Sequence, residues 1–208
     1  MTNSIDRMPW MSRYQRSKSM GMYWYNKASD LHGAAGLVWA GIEDDQASRT
    51  AVKLGLGKGF DFRVACWPVY LMLCGLALEL LLKTAIVANE EEPTTTHKLD
   101  VLWEKVGLPL TAERRGLLNI LTESIYWAGR YPVPTREADF ERLADLQWQH
   151  LWSPASTSIE GLDIRSPNGS LDWPSFGTLW SAAHASPAIT ALFDRPIPRS
   201  KRLKDGGK

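Results

Sequence analysis

One stretch constrains this chain more than any other. Residues 67–88 read WPVYLMLCGLALELLLKTAIVA, with no charged side chain from Trp67 to Leu78 and then Glu79 and Lys83 four residues apart. A segment apolar on nearly all sides either crosses a membrane or lies at the centre of a bundle. The twelve uncharged residues from Trp67 to Leu78 fall short of the roughly 20 needed to span. Extending the run to Ala88 brings in an acid and a lysine, the lysine alone costing about 2.5–3.5 kcal/mol at mid-span. The ten Leu, Ile and Val residues from Val69 to Val87 return about 0.3–0.6 kcal/mol each. The sums nearly cancel, and the rest of the chain offers no second span. The expectation is a buried central helix and no membrane partner.

The remaining segments read as helices around it. Over residues 22–44, Tyr25, Leu31, Ala35, Val38, Trp39 and Ile42 recur at three- and four-residue steps. Gly33 and Gly36 there invite close approach of another helix. Residues 61–89 form the strongest helix, with Pro68 near its start and Asn89 and Pro93 at its end. A short helix over 97–106 is expected to be capped by Thr95 or Thr96 and stopped by Gly107. Another runs over 112–128, with Leu117, Leu121, Ser124, Ile125 and Ala128 on one face and Gly129 closing it. Thr135 is placed to cap a helix over 136–152, with Phe140, Leu143, Ala144 and Leu151 inward. Apolar alternation on both sides of Asn168–Gly169 predicts a small hairpin or loop insertion near 159–173. Asp172 and Pro174 can open a last helix over 174–185. The fold class is therefore all-α: an up-and-down bundle of about five to six helices with that insertion. The organisation is a basic aromatic segment (1–20), one helical domain (21–187) and a Pro-rich, then basic, tail (188–208).

The net charge of +1 is unevenly spread. Residues 1–27 carry five bases against Asp6, and residues 194–208 carry six bases against two acids, so each end is +4 and the body is −7. Basic ends can bind phosphate backbones or remain solvated. Arg199, Lys201 and Arg202 are the nucleic-acid-binding candidates in the tail. The ten tryptophans are many for 208 residues and supply core, stacking or docking surface. Cys66 and Cys74 are eight residues apart, about 12 Å of helical rise, too far for a disulfide. They read as small core residues of a reducing compartment, hence a cytoplasmic location. No Cys/His spacing resembles a metal site, and no cofactor is expected.

Glu79 and Lys83 stack on one helix face, acid before base. Gly75 lies one turn earlier on the same stripe and leaves space for another segment. His97 follows near the end of the long helix. Arg130 and Tyr131 lie past another helix end, in a segment stiffened by Pro132 and Pro134. Convergence of these ends would place Glu79, Lys83, His97, Arg130 and Tyr131 around one pocket, where Arg and Lys hold phosphate and His exchanges a proton. The alternative is a salt-bridge network that ties the Pro-rich loop to the bundle.

The strings GLALELLLKTAIVA, HKLDVLW and IYWAGRYPVP resemble bacterial HEPN-like helical proteins over residues 60–140. The resemblance implies an up-and-down bundle, often dimeric, and an RNA-associated role in antiviral defence or a toxin–antitoxin system. Catalytic members cleave RNA through an Arg followed after four to six residues by His. Here the nearest match is Arg142 and His150, with seven residues between. One extra residue turns a helical side chain by about 100°, so the catalytic inference does not transfer directly. Three expectations follow: an RNA-associated protein lacking the usual motif, a non-catalytic protein that forms a homodimer or docks a larger effector, or a ribonuclease using Arg142/His150 or His97/Arg130.

Overall fold

The computed structural model describes residues 12–44, 47–57, 59–155 and 163–194. Its helices are α1 (Arg13–Ser19), α2 (Gly21–Glu43), α3 (Ala47–Lys53), α4 (Phe62–Ala65), α5 (Trp67–Ala88), α6 (Leu99–Lys105) and α7 (Ala112–Glu123). A π-helical turn, Ser124–Ala128, extends α7. Then come α8 (Glu137–His150), strands β1 (Trp152–Pro154) and β2 (Arg165–Pro167), α9 (Trp173–His184) and α10 (Pro187–Phe193). The chain is an all-α bundle with a two-stranded antiparallel appendage. Ten helices are described rather than five or six: α1 lies in the segment 1–20, α3 has no expected counterpart, α4 is separate from α5, and α10 occupies the start of the expected tail.

The apolar run is the hub. Leu78, Leu81, Leu82 and Ile86 of α5 are fully buried, each contributing about 1.5–3 kcal/mol against exposure. α2 and α7, with its π turn, pack along α5, and α6, α9 and α10 add further contacts. By length and composition α5 could cross a membrane, yet 72% of its most apolar window is buried inside the protein. On α2 the buried residues are Gly21, Ala28, Ala35 and Ile42. Their seven-residue spacing and mostly small side chains form a narrow seam against α5. A side chain at Gly21 would meet Leu192 and Ala88, and one at Gly36 would meet Trp173 at 3.0 Å. Gly33 faces open space instead, so only Gly36 serves the expected close approach. Gly75 does so on α5: an added Cβ would lie 2.9 Å from the Leu121 carbonyl oxygen.

Several local expectations are corrected. The helix over 61–89 is two helices, because Pro68 clashes with continuous helical backbone four residues before it and donates no N–H. Asp61 caps the first through the Arg63 N–H. Neither Thr95 nor Thr96 caps α6. The Leu99 N–H instead donates to Thr122 Oγ1 at 3.1 Å, so the cap comes from α7, while Gly107 ends α6 at φ +75. Thr135 does not cap α8, which begins after Arg136 with the Arg136–Asp139 ion pair beside its first turn. Phe140 and Ala144 are exposed and Leu143 is buried, since α8 packs chiefly on α7. The hairpin pairs Trp152 with Pro167, so Asn168–Gly169 follows it. There Asn168 accepts the Ser170 N–H and donates to the His150 carbonyl. Asp172 caps α9 as expected. The expected tail from residue 188 begins as helix α10, packed on α5. Cys66 and Cys74 are free thiols, and burial pushes Cys74 up to about 12.

Candidate functional site

α5 presents Glu79 and Lys83 one turn apart, 4% and 5% exposed. Lys83 Nζ donates to Glu79 Oε1 at 2.8 Å. Buried, this pair is stable only if its remaining polar atoms find partners. His97 supplies one: its Nδ1 lies 3.0 Å from both Glu79 oxygens. His97 arrives there because Thr122, itself bonded to the Leu118 carbonyl, ties the start of α6 to α7. Its side chain is 47% exposed, so one ring edge meets the buried carboxylate while the other nitrogen lies on the far side of the ring. With the proton on Nδ1, Nε2 presents a lone pair, the arrangement of a general base.

The wall beside His97 comes from the π turn. The Tyr126 ring lies edge-on to His97, 5.8 Å between centroids, and Tyr126 is 41% exposed. Arg130 Nη2 donates to the Tyr126 carbonyl, and its guanidinium lies 5.4 Å over the Tyr131 ring. Of the expected set, Glu79, Lys83 and His97 come together. Arg130 and Tyr131 contact each other, and Arg130 is linked to Tyr126 through that residue's backbone carbonyl, whereas His97 meets the Tyr126 ring. Arg130 makes no described bond to Glu79, Lys83 or His97, so a single closed pocket around all five is not formed. Instead the Arg130 guanidinium turns back onto the Tyr126 carbonyl of the π turn that precedes it.

Arg142 and His150 do not converge. Arg142 binds Glu123 at 2.7 Å and Asp139 at 3.0 Å, and the Glu123 hydrogen bond foremost holds its guanidinium above the ordinary range. The His150 ring packs on Gly116, where an added Cβ would lie 2.1 Å from Nε2. Both side chains face α7 two turns apart, about 12 Å of rise, too far to act on one phosphate. Arg199, Lys201 and Arg202 lie outside the described residues.

Sequence reasoning missed Tyr126, Thr122 and Glu123. Glu123 accepts from both Arg142 and Trp127 Nε1, and its signal was an acid inside an otherwise apolar helix face. Among the described residues no group of three or more His, Cys, Asp or Glu side chains is placed to hold a metal. A cleft of about 1410 Å³ lies near the N-terminal end of α5 and contains none of these site residues. No family model, no curated protein and no solved structure matches the chain.

Proposed function

We propose that this is an HEPN-like, RNA-associated protein of a bacterial defence or toxin–antitoxin system, without the usual Arg–His ribonuclease motif. The observation that supports the reading is the half-exposed His97, held on the buried Glu79–Lys83 pair beside the Tyr126 ring, with Arg130 bonded to the Tyr126 carbonyl and lying over Tyr131. Exposed tyrosines offer faces on which bases stack, and Arg130 offers charge to a phosphate. The separation of Arg142 from His150 supports assigning no role to that pair. The test is binding of a mixed RNA pool at low and high salt. The expected result is salt-sensitive binding that weakens in Arg130→Ala and Tyr126→Ala. Undetectable binding at low salt, by any assembly state, refutes the reading.

A second reading, cleavage at this surface, is favoured by the carboxylate-held imidazole alone. Its expectation is that His97→Ala abolishes cleavage while His150→Ala retains it. Equal cleavage by both variants removes it. Homodimerisation stays part of the proposal and is read by sedimentation.

A further inference from the structure

No residue of α1 is buried, yet the helix is held at both ends. A helix of seven residues is marginal on its own in water. Here Ser12 Oγ accepts the Gln15 N–H at 3.1 Å and Gln15 Oε1 accepts the Ser12 N–H at 3.0 Å, a reciprocal cap on the first turn. At the other end Trp24 Nε1 of α2 donates to the Lys18 carbonyl at 3.0 Å, and Lys18 pairs with Glu92. The fold thus fixes α1 against α2 and against the loop after α5 without drawing it into the core.

What the helix displays is Arg13, Tyr14 and Arg16, all exposed. Tyr14 is 76% exposed, and Tyr23 in the first turn of α2 is 55% exposed. Among the described residues no ion pair or side-chain hydrogen bond holds either arginine. Taking the whole stretch together, residues 1–27 hold five bases and the single acid Asp6. Lys18 is spent on Glu92, and Lys27 lies 4.0 Å from Asp30. Asp6 can neutralise only one of the remaining Arg7, Arg13 and Arg16, so at least 3 − 1 = 2 positive charges stay open. In the loop beside α1, Glu92 and Glu91 are taken by Lys18 and Lys105, which leaves Glu90 alone against them.

Open arginines beside exposed tyrosines suit one class of ligand. Single-stranded nucleic acid needs cations for its phosphates and flat faces for its unstacked bases. A membrane surface asks for a helix with a broad apolar face, and RYQRSKS contains no aliphatic side chain. We infer that α1 and the first turn of α2 form a second contact surface for single-stranded RNA, with Arg13 and Arg16 on phosphates and Tyr14 and Tyr23 against bases. It rests on the proposed RNA association and extends the surface at His97. Lys18 is tied to Glu92, and Glu92 precedes His97 by five residues, at most about 18 Å of chain. One strand of RNA can therefore reach both surfaces.

The experiment measures binding of a fluorescent single-stranded RNA of mixed sequence to the full chain over a series of salt concentrations. Arg13→Ala combined with Arg16→Ala is expected to make the dependence of log affinity on log salt shallower by about 1.4, two phosphate contacts at about 0.7 each. Arg13→Lys combined with Arg16→Lys should keep the wild-type slope. Tyr14→Ala should keep it too, while weakening binding about fivefold or more. None of these variants should change the melting temperature, because the side chains are exposed. A wild-type slope in the double alanine variant, while Arg130→Ala still weakens binding, overturns this inference and leaves the RNA reading standing. So does undiminished binding by Tyr14→Ala. Absence of RNA binding by the wild type overturns both. Equal displacement of the RNA by polyglutamate, or binding to phosphatidylserine vesicles that the double alanine variant loses, assigns α1 to another anion and overturns the inference as well.

Discussion

Gly75 offers the sharpest test of how the site is built. Replacing a mid-helix glycine by alanine favours the helix by about 0.5–1 kcal/mol when the side chain has room. Gly33 on α2 has that room, with nothing within 4 Å of an added Cβ. Gly33→Ala should therefore stabilise by that amount. At Gly75 the added Cβ would lie 2.9 Å from the Leu121 carbonyl oxygen and 2.9 Å from Ile125 Cγ1. Unstrained heavy-atom contacts lie nearer 3.5–4.0 Å, and one of the two neighbours is backbone, so α7 must move away by more than half an ångström. Overpacking of this kind costs about 1–3 kcal/mol. The propensity gain is common to both variants, so Gly75→Ala should be less stable than Gly33→Ala by about 1–3 kcal/mol. Urea unfolding followed by tryptophan fluorescence reads the difference directly. In a chain of 208 residues it corresponds to about 2–12 °C in melting temperature. Equal stability of the two variants would refute the claim that α5 and α7 are in contact through Gly75. Under the proposed RNA-associated reading, Gly75→Ala should also weaken RNA binding, because the displaced turn carries Tyr126.

Further outcomes follow from the same geometry. Glu79→Ala leaves Lys83 buried without its partner and should cost about 3–5 kcal/mol, whereas His97→Ala, at a half-exposed position, should cost under about 1 kcal/mol; denaturant melts separate the two. His32 packs among Trp173, Phe176 and Trp180 with its Nδ1 unpartnered, and burial holds its imidazole below the usual 6.5. The unfolded chain therefore takes up the proton first, so stability should be constant above about pH 7.5 and fall as pH drops below about 6.5. That slope should shrink in His32→Gln, measured by urea melts at several pH values. Cys74 should resist thiol reagents until the protein is unfolded, since burial pushes it up to about 12 and little thiolate forms.

The central helix was legible because its composition leaves few alternatives, and the Glu79–Lys83 contact because a four-residue step fixes adjacency on a helix. The His97 contact was legible only as one of two options. What decided it was Thr122, a residue whose hydroxyl bonds across elements and leaves no trace in periodicity. The π turn was not legible either: SIYWA reads as plain helix, and the turn ends at Gly129, where an added Cβ would lie 2.4 Å from Met72 Cβ of α5. That turn decides where Tyr126 and Arg130 go. The hairpin was misplaced because Asn168–Gly169 has the residues of a tight turn, yet the Asn168 side chain is held by His150 and Ser170 rather than by a strand partner. Phe140 was read inward from its spacing, but α8 packs chiefly on α7 and Phe140 stays exposed beside Trp127.

The burial of α5 also sets a clock. From Leu81 to Val87 every residue is buried, so exchange of those amides with solvent deuterium requires opening of the bundle as a whole and reports its global stability. Lys83 shares that shelter. An acylating reagent should modify the surface lysines at once and reach Lys83 only at the rate of unfolding, which makes that one amine a built-in reporter of how often the molecule comes apart.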